Sequence, residues 1–178
     1  MDLIAALVQG FWVIIPAYAA NGFAPLPRGR RRIDFGMKFM GYDLLGRGKT
    51  WEGLIFAVFI GTLCGITEIW AYPYLNPIAM ENGFSLQKLT FWSVFFVALG
   101  AMLGDMAGSF IKRRFRVKRG DPVLLLDQLD FLIGGFLFAS FFLEVSLLSI
   151  IIFIIITPIV HWVSCYIGYK IGAKEVPW

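Results

Sequence analysis

Three aspartates and a block of basic residues lie close together between positions 104 and 130. Asp105 ends one apolar run, and Asp127 and Asp130 begin the next one. Six Lys or Arg residues fall between them, at positions 112–119. If the apolar runs are helices, two helix ends present three carboxylates beside a basic loop. That arrangement suits a divalent cation together with a polyphosphate, and it predicts a site for phosphoryl or nucleotidyl transfer.

Helical spacing places polar side chains of this region on a common face. Asp105, Ser109 and Lys112 stand at i, i+4 and i+7, and Arg113 lies close to the same face. We expect Lys112 and Arg113 to contact phosphate, whereas the basic residues further into the loop mainly set topology. The small or flexible residues 106–108 are expected to leave room for a bulky ligand beside Asp105.

Simpler explanations stay open for each of these carboxylates. Asp105 could form a salt bridge with Lys112 or Arg113 that only anchors the helix end. Asp127 and Asp130 could cap a helix and compensate its dipole, although one carboxylate would be enough for that. Two carboxylates favour a metal, and carboxylate donors without a Cys or His cluster favour Mg²⁺ over zinc.

The segment 46–51, GRGKTW, is a second candidate phosphate contact. It resembles the end of a P-loop, but the glycine that the motif requires five residues before Gly48 is absent. Glycines still expose backbone N–H groups, and Lys49 and Thr50 stand at the start of a predicted helix, where phosphate binds readily. A capped helix start with a lysine that sets topology explains the pattern equally well.

Composition indicates the class of protein. The 178-residue chain is 58% hydrophobic and contains 18 Phe, more apolar material than a water-soluble domain of this length can bury. Its net charge of +4 is concentrated in short blocks between apolar runs, which favours topology signals over nucleic-acid binding. We therefore predict a multi-pass protein of the cell membrane, a single integral membrane domain over residues 1–178, with no nucleic-acid and no protein partner.

The apolar runs predict an all-α protein with five transmembrane helices. The predicted helices cover residues 3–27, 52–72, 89–111, a short segment from the Asp127–Asp130 turn to about 144, and 145–169. Residues 73–88, which contain two prolines, are predicted to form a loop on the opposite side of the membrane. Glu68 is expected near the outer end of its helix, at the membrane interface.

The distribution of basic residues predicts the orientation of these helices. Of the 16 Lys and Arg residues, all but Lys88 fall on one side of the alternation. The positive-inside rule places that side in the cytoplasm, with the N-terminus outside and the C-terminus cytoplasmic. The predicted active site then faces the cytoplasm.

Taken in order, the motifs resemble those of a known enzyme family. The segments SFIKR at 109–113, GDP at 120–122 and DQLD at 127–130 resemble the signature of the CTP-dependent phosphatidate cytidylyltransferase superfamily. The chain resembles more closely the CDP-archaeol synthase family, which consists of small five-helix membrane enzymes. The further positions that carry this resemblance are Asn21, Pro25, Asp34 with Gly36, Gly46–Trp51 and Gly104–Asp105.

The resemblance implies that CTP reacts with an isoprenoid ether-lipid phosphate, 2,3-bis-O-geranylgeranyl-sn-glycerol 1-phosphate. The products would be CDP-2,3-bis-O-geranylgeranyl-sn-glycerol and pyrophosphate, in archaeal phospholipid biosynthesis. It implies Mg²⁺ on Asp105, Asp127 and Asp130, with Lys112 and Arg113 as catalytic cations. The implied contacts to CTP and lipid phosphate are Asn21, Pro25, Asp34, Gly46, Gly48, Lys49, Thr50, Ser109, Lys112 and Arg113.

Two other functions are alternatives at this point. A transporter would show inverted repeats or paired broken helices, and the pattern at 104–130 has no second copy. A CDP-alcohol phosphotransferase also uses spaced aspartates, but its DGxxAR motif is missing from this chain. Cytidylyl transfer is therefore the prediction.

Overall fold

The apolar runs form five α-helices in the part of the chain that the structure describes. This computed structural model describes residues 2–117, 121, 123 and 125–170. The helices are α1 (Leu3–Phe23), α2 (Trp51–Glu81), α3 (Phe91–Arg114), α4 (Leu126–Ala139) and α5 (Leu147–Lys170). One antiparallel hairpin of two-residue strands, β1 (Lys38–Phe39) and β2 (Tyr42–Asp43), lies between α1 and α2.

The all-α prediction is confirmed for the described residues. Helices α1, α2 and α3 are each long and apolar enough to cross a membrane. Helix α4 is short, as the sequence predicts, but its 14 residues end at Ala139, before the predicted end near 144. Some residues used in the sequence predictions lie outside the described part of the chain: Lys118, Arg119, Gly120, Pro122 and Lys174.

Helix α2 is longer than the sequence predicts. Residues 73–88 are predicted to be a loop, but the helix continues through Pro73 and Pro77 to Glu81. Gly83, with a φ of 84°, follows its end. Each proline removes only one backbone N–H, and membrane helices tolerate that loss. The loop prediction is therefore wrong for its first half.

Glu68 consequently lies in the interior of α2. Its side chain is buried at 6% exposure, and its carboxylate oxygens have no hydrogen-bond partner among the described residues. Helical spacing places Glu68 on the same stripe as Gly61 and Gly65, which contact α1 and α3. The prediction that Glu68 lies near the outer end of its helix is wrong, because α2 continues to Glu81.

Helix α3 packs against α1, α2 and α4, and the buried apolar side chains lie between these helices. Ile14, Val97 and Leu132 belong to one core cluster, contributed by α1, α3 and α4. Ala20 and Ala57 belong to a smaller cluster in which α1 and α2 meet α3. The site described below is built where this packing brings the end of α3 against the start of α4.

A row of glycines brings α3 and α4 into close contact. Gly100, Gly104 and Gly108 recur every four residues and share one face of α3. A Cβ atom at Gly104 would lie 2.1 Å from the backbone oxygen of Asp130, and one at Gly108 would lie 2.1 Å from its carboxylate Oδ2. Small residues permit such contacts between membrane helices. The space beside Gly108 that the sequence assigns to a ligand is therefore filled by Asp130.

Candidate active site

The first loop, residues 24–50 between α1 and α2, is organised around the carboxylate of Asp34, whose residue is only 1% exposed. Arg32 donates from Nε to Oδ1 at 2.9 Å and from Nη2 to Oδ2 at 3.1 Å. The backbone N–H groups of Gly36, Leu45 and Gly46 each donate to the same carboxylate at 3.0 Å. Burial alone would raise the pKa of the Asp34 carboxyl, but these donors outweigh it and hold the pKa well below its usual range.

This geometry favours a positioning role for Asp34 over the substrate contact that the resemblance implies. Donors from the chain occupy both carboxylate oxygens, and the residue lines neither of the cavities described below. Its bonds to Gly36, Leu45 and Gly46 fix the two ends of the hairpin. Arg32 reinforces the hairpin by pairing with Asp43 at 3.2 Å.

Replacing Asp34 with Asn is expected to lower the unfolding temperature at neutral pH. Asn keeps the shape but loses the charge, and it places an NH₂ group against buried donors, which costs about 1–3 kcal/mol. Because the folded-state pKa is depressed, the stabilisation is complete above the unfolded pKa of about 3.9 and is lost as pH falls below it. Between pH 7 and pH 3, the unfolding temperature in detergent should fall less for the variant than for the wild type. Asp121→Asn, at an exposed loop position, is the control; equal profiles for the two variants would contradict the assignment.

The segment after the hairpin leads into the first turn of α2. Thr50 is the N-cap, and its Oγ1 accepts a hydrogen bond from the backbone N–H of Gly53 at 3.2 Å. The capped helix start is therefore confirmed. Lys49 has a more specific contact than a topology signal requires, because its Nζ lies 2.5 Å from Oδ2 of Asp105 on α3.

Two lysine–aspartate pairs join separate elements of the site. Lys49 of the first loop pairs with Asp105 of α3, and Lys112 of α3 pairs with Asp127 of α4. All four side chains are partly buried. The expected alternative, a pair between Asp105 and Lys112 or Arg113 of the same helix, is wrong, because each aspartate takes a partner from a different element.

Asp130 is the third carboxylate, and no described Lys or Arg forms a salt bridge with it. Its Oδ1 accepts the backbone N–H of Phe131 at 2.6 Å. The carboxylate lies within electrostatic range of Asp105, Asp127 and Lys49. Three acidic groups and two lysines therefore converge where α3 meets α4.

The donor chemistry of this cluster fits Mg²⁺, which prefers carboxylate oxygens in proteins. Within the described ranges, however, no three Asp, Glu, His or Cys side chains are close enough to hold a metal ion together. Two of the three aspartates instead have a lysine ammonium group as their cation. The residues are thus suitable as ligands, but they are not arranged as a preformed cage.

Two adjoining cavities open beside the lysine–aspartate pairs. The smaller one, of about 170 Å³, lies between the end of α1, the start of α2 and α3, and the larger one, of about 520 Å³, lies between the first loop and the end of α3. Gly48 and Lys49 line both of them. The shared wall would bring ligands in the two cavities together at Lys49.

Most of the predicted site residues lie at these cavities. The smaller cavity is lined by Asn21, Pro25, Gly48, Lys49, Thr50 and Asp105. The larger cavity is lined by Gly46, Gly48, Lys49, Ser109, Lys112 and Arg113. Asp127 and Asp130 line neither, and they approach the site through their contacts with Lys112 and with the glycine face of α3.

Several lining residues were not predicted from the sequence. Arg47 adds a cation to the larger cavity, and Met102 and Leu54 give the smaller one an apolar side. Met106, which was expected to leave room beside Asp105, lines the smaller cavity as well. The position of Arg47 between two glycines was the available signal for a cation facing a cavity. Met102 and Leu54 gave no signal, because their side chains resemble those of any membrane helix.

A lateral groove adjoins the smaller cavity on the outer surface of α2 and α3. It has a volume of about 510 Å³, and its lining is apolar except for Thr62. Leu54 lines both the groove and the smaller cavity, so the two are neighbours. The groove follows α2 from Leu54 to Ile66, about 18 Å at 1.5 Å per residue.

Comparisons with known proteins agree over the whole length of the chain. A family model described as CarS-like, CDP-archaeol synthase, matches residues 1–178. A CDP-archaeol synthase of Thermococcus gammatolerans is 40% identical over 179 residues, 100% of both chains. One from Archaeoglobus fulgidus is 40% identical over 183 residues, 100% of this chain and 99% of the relative.

A solved structure also matches this fold. It is described as an intramembrane enzyme for archaeal membrane lipids biosynthesis, and it superposes with a TM-score of 0.75 at 32% sequence identity. The match covers 89% of this chain and 93% of that chain.

Proposed function

Because the chain belongs to the CDP-archaeol synthase family, we propose that it transfers the cytidylyl group of CTP to 2,3-bis-O-geranylgeranyl-sn-glycerol 1-phosphate. As a member of that family it is a CTP-dependent nucleotidyltransferase in the membrane. One observation carries the choice of substrates. A polar cavity with four cationic side chains adjoins, through Lys49, a smaller cavity that borders a membrane-facing apolar groove.

The larger cavity suits the triphosphate of CTP. Its cations are Arg47, Lys49, Lys112 and Arg113, and Ser109 adds a hydroxyl group. No described residue accepts a hydrogen bond from the buried Nε of Arg113. Several converging cations bind a group of three to four negative charges more strongly than a single lysine would.

The lysine–aspartate pairs suggest how the carboxylates become available to a metal. When phosphates enter the larger cavity, Lys49 and Lys112 can turn to them and release Asp105 and Asp127. Together with Asp130, these carboxylates would hold Mg²⁺, which when bound neutralises charge on the nucleotide phosphates. The lysines thus act as cations in both states, first for the aspartates and then for the phosphates.

The residues of the chain have defined tasks in the transfer. An oxygen of the lipid phosphate attacks the α-phosphorus of CTP, the bond from that phosphorus to the bridging oxygen breaks, and pyrophosphate leaves. Lys49, shared by both cavities, can draw the two anionic reactants together. Lys112 and Arg113 stabilise the negative charge of the leaving pyrophosphate. The attacking phosphate is already ionised at neutral pH, so no general base is needed.

The smaller cavity and the groove suit the lipid phosphate substrate. A phosphate in the smaller cavity lies beside Asn21 and Lys49, and a tail attached to it passes Leu54 into the groove. The substrate would then react at the membrane surface without leaving the bilayer. We further propose five membrane-spanning helices in one domain over residues 1–178, with the N-terminus outside and the site facing the cytoplasm.

The test is transfer of label from CTP to lipid by the purified protein with Mg²⁺. The geranylgeranyl lipid phosphate should be labelled at least about a hundredfold faster than glycerol 1-phosphate, because tail binding contributes to transition-state binding. Leu63→Trp narrows the groove and should raise the KM for lipid about tenfold without changing the KM for CTP. Ile155→Trp, an exposed position on α5, is the control. Equal rates with and without tails would exclude the groove, and absence of any labelled lipid would exclude the reaction.

A further inference from the structure

The hairpin between α1 and α2 exposes a cluster of large apolar side chains. The cluster, called here the hairpin patch, consists of Phe35, Met37, Phe39, Met40 and Tyr42. It lies outside the three helices that are long enough to cross a membrane. Apolar residues that gather on an exposed surface mark an interaction site, whereas single ones need no explanation. The many Lys and Arg residues of this loop indicate a polar segment, so its apolar face was not expected from the sequence.

The backbone at two patch residues is unfavourable for the side chains it carries. Phe35 and Met40 have φ angles of 48° and 53°, in the left-handed region that favours Gly or Asn. Their side chains are 79% and 77% exposed, so packing within the chain does not compensate. Contacts within the described part of the chain therefore do not explain large apolar groups at these positions.

The hairpin patch is continuous with the outer surface of α3. The ring of Phe39 packs against Phe110 with centroids 6.1 Å apart, and the guanidinium of Arg114 lies 4.5 Å from the Phe110 centroid and 5.2 Å from that of Phe39. On the same helix end, Ile111 and Phe115 are exposed. Apolar side chains at the end of a long apolar helix therefore lie next to those of the hairpin.

Basic side chains border the patch, and others lie earlier in the same loop. Lys38 is exposed on the hairpin itself, and the guanidinium of Arg116 lies 5.5 Å from the ring centroid of Tyr42. Arg28, Arg30 and Arg31, which follow α1, are exposed as well. Aromatic and apolar groups bordered by Lys and Arg are typical of segments that lie in a membrane interface with anionic lipids.

We propose that the hairpin patch lies in the headgroup region of the same bilayer, with its basic border on anionic lipid phosphates. The apolar side chains enter the leaflet beside α3, and Lys38 and Arg116 stay at the phosphates. Asp34 bonds both ends of the hairpin and the glycine that follows it, so membrane contact also sets the height of the Gly46–Lys49 segment. This anchoring does not depend on the reaction that the protein catalyses.

The test measures the depth of the hairpin in vesicles. A nitroxide is attached to Met40→Cys in the full chain, with Cys64 and Cys165 replaced by Ala. The measured quantity is the spin relaxation caused by dissolved oxygen divided by that caused by a water-soluble nickel complex. This ratio should be about tenfold higher at position 40 than for the same label at Arg47→Cys, an exposed position that faces the polar cavity. Phosphatidylglycerol in the vesicles should increase the ratio, and high salt should reverse that increase.

Equal ratios at positions 40 and 47 would overturn the proposal, because the hairpin would then lie in water. Spin–spin broadening that disappears on dilution with unlabelled protein would also overturn it, by identifying the patch as a contact between two copies.

A second variant separates anchoring from folding. Phe35→Asn with Met40→Asn suits the left-handed backbone and should leave the unfolding temperature in detergent unchanged or higher, while a label at Met37→Cys becomes several-fold more accessible to nickel.

Discussion

Asp130→Asn is expected to lower kcat by about a hundredfold to a thousandfold, the range seen when a group that stabilises charge in the transition state is removed. Asp130 has no lysine partner among the described residues, so the change should leave the ion pairs of the site intact. It also removes a negative charge near Asp105 and Asp127, and the unfolding temperature in detergent should therefore not fall. Loss of turnover with retained stability would separate a metal ligand from a structural residue.

The corresponding changes at Asp105 and Asp127 should show a different combination. Each leaves a partly buried lysine, Lys49 or Lys112, without its carboxylate, so a lower unfolding temperature should accompany the loss of rate. All three variants should need more Mg²⁺ to reach half-maximal rate, whereas Glu81→Gln, at the far end of α2, should need no more than the wild type. Near-native rates in all three Asn variants would place the metal site elsewhere.

The sequence predicts local features of this site well because they depend on helical periodicity alone. Ser109 and Lys112 share a wall of the larger cavity with Arg113, as their spacing on one helix requires. The start of α2 at a threonine cap follows from the same kind of local preference. The end of α2 could not be predicted from local preferences. Pro73 and Pro77 are compatible with a membrane helix, so only the three-dimensional context decides where the helix ends.

Contacts between elements could not be predicted in this way. Lys49 and Asp105 are 56 positions apart, and nothing in their local sequence distinguishes this pair from one between Asp105 and Lys112. The place of Asp130 depends on glycines of another helix, whose spacing could equally have left room for a ligand. The choice of partner among like-charged groups therefore depends on how the first loop, α3 and α4 pack against one another.

Lys112→Gln and Arg113→Gln are each expected to reduce kcat by about a hundredfold, whereas Arg116→Gln should change it little at moderate salt. Lys112 and Arg113 line the larger cavity, and a contact that strengthens as charge builds on the leaving pyrophosphate lowers kcat when it is removed. Arg116 lies over the ring of Tyr42 on the hairpin and does not line that cavity. Its charge can attract CTP only over a distance, so its loss should appear in the KM for CTP and weaken as salt rises.

Arg114 provides a control within the same basic block. Its Nη2 donates to the backbone oxygen of Asp43 at 2.6 Å and its guanidinium packs on Phe110, so Arg114→Gln should lower the unfolding temperature more than it lowers kcat. The measurement is a kinetic series with CTP varied at two ionic strengths, together with thermal unfolding of each variant. If all four variants lose the same factor in kcat, only the total positive charge matters. If Lys112 and Arg113 alone lose turnover, the cations of the larger cavity act on the reacting phosphates, and the neighbouring arginines hold the hairpin that borders it.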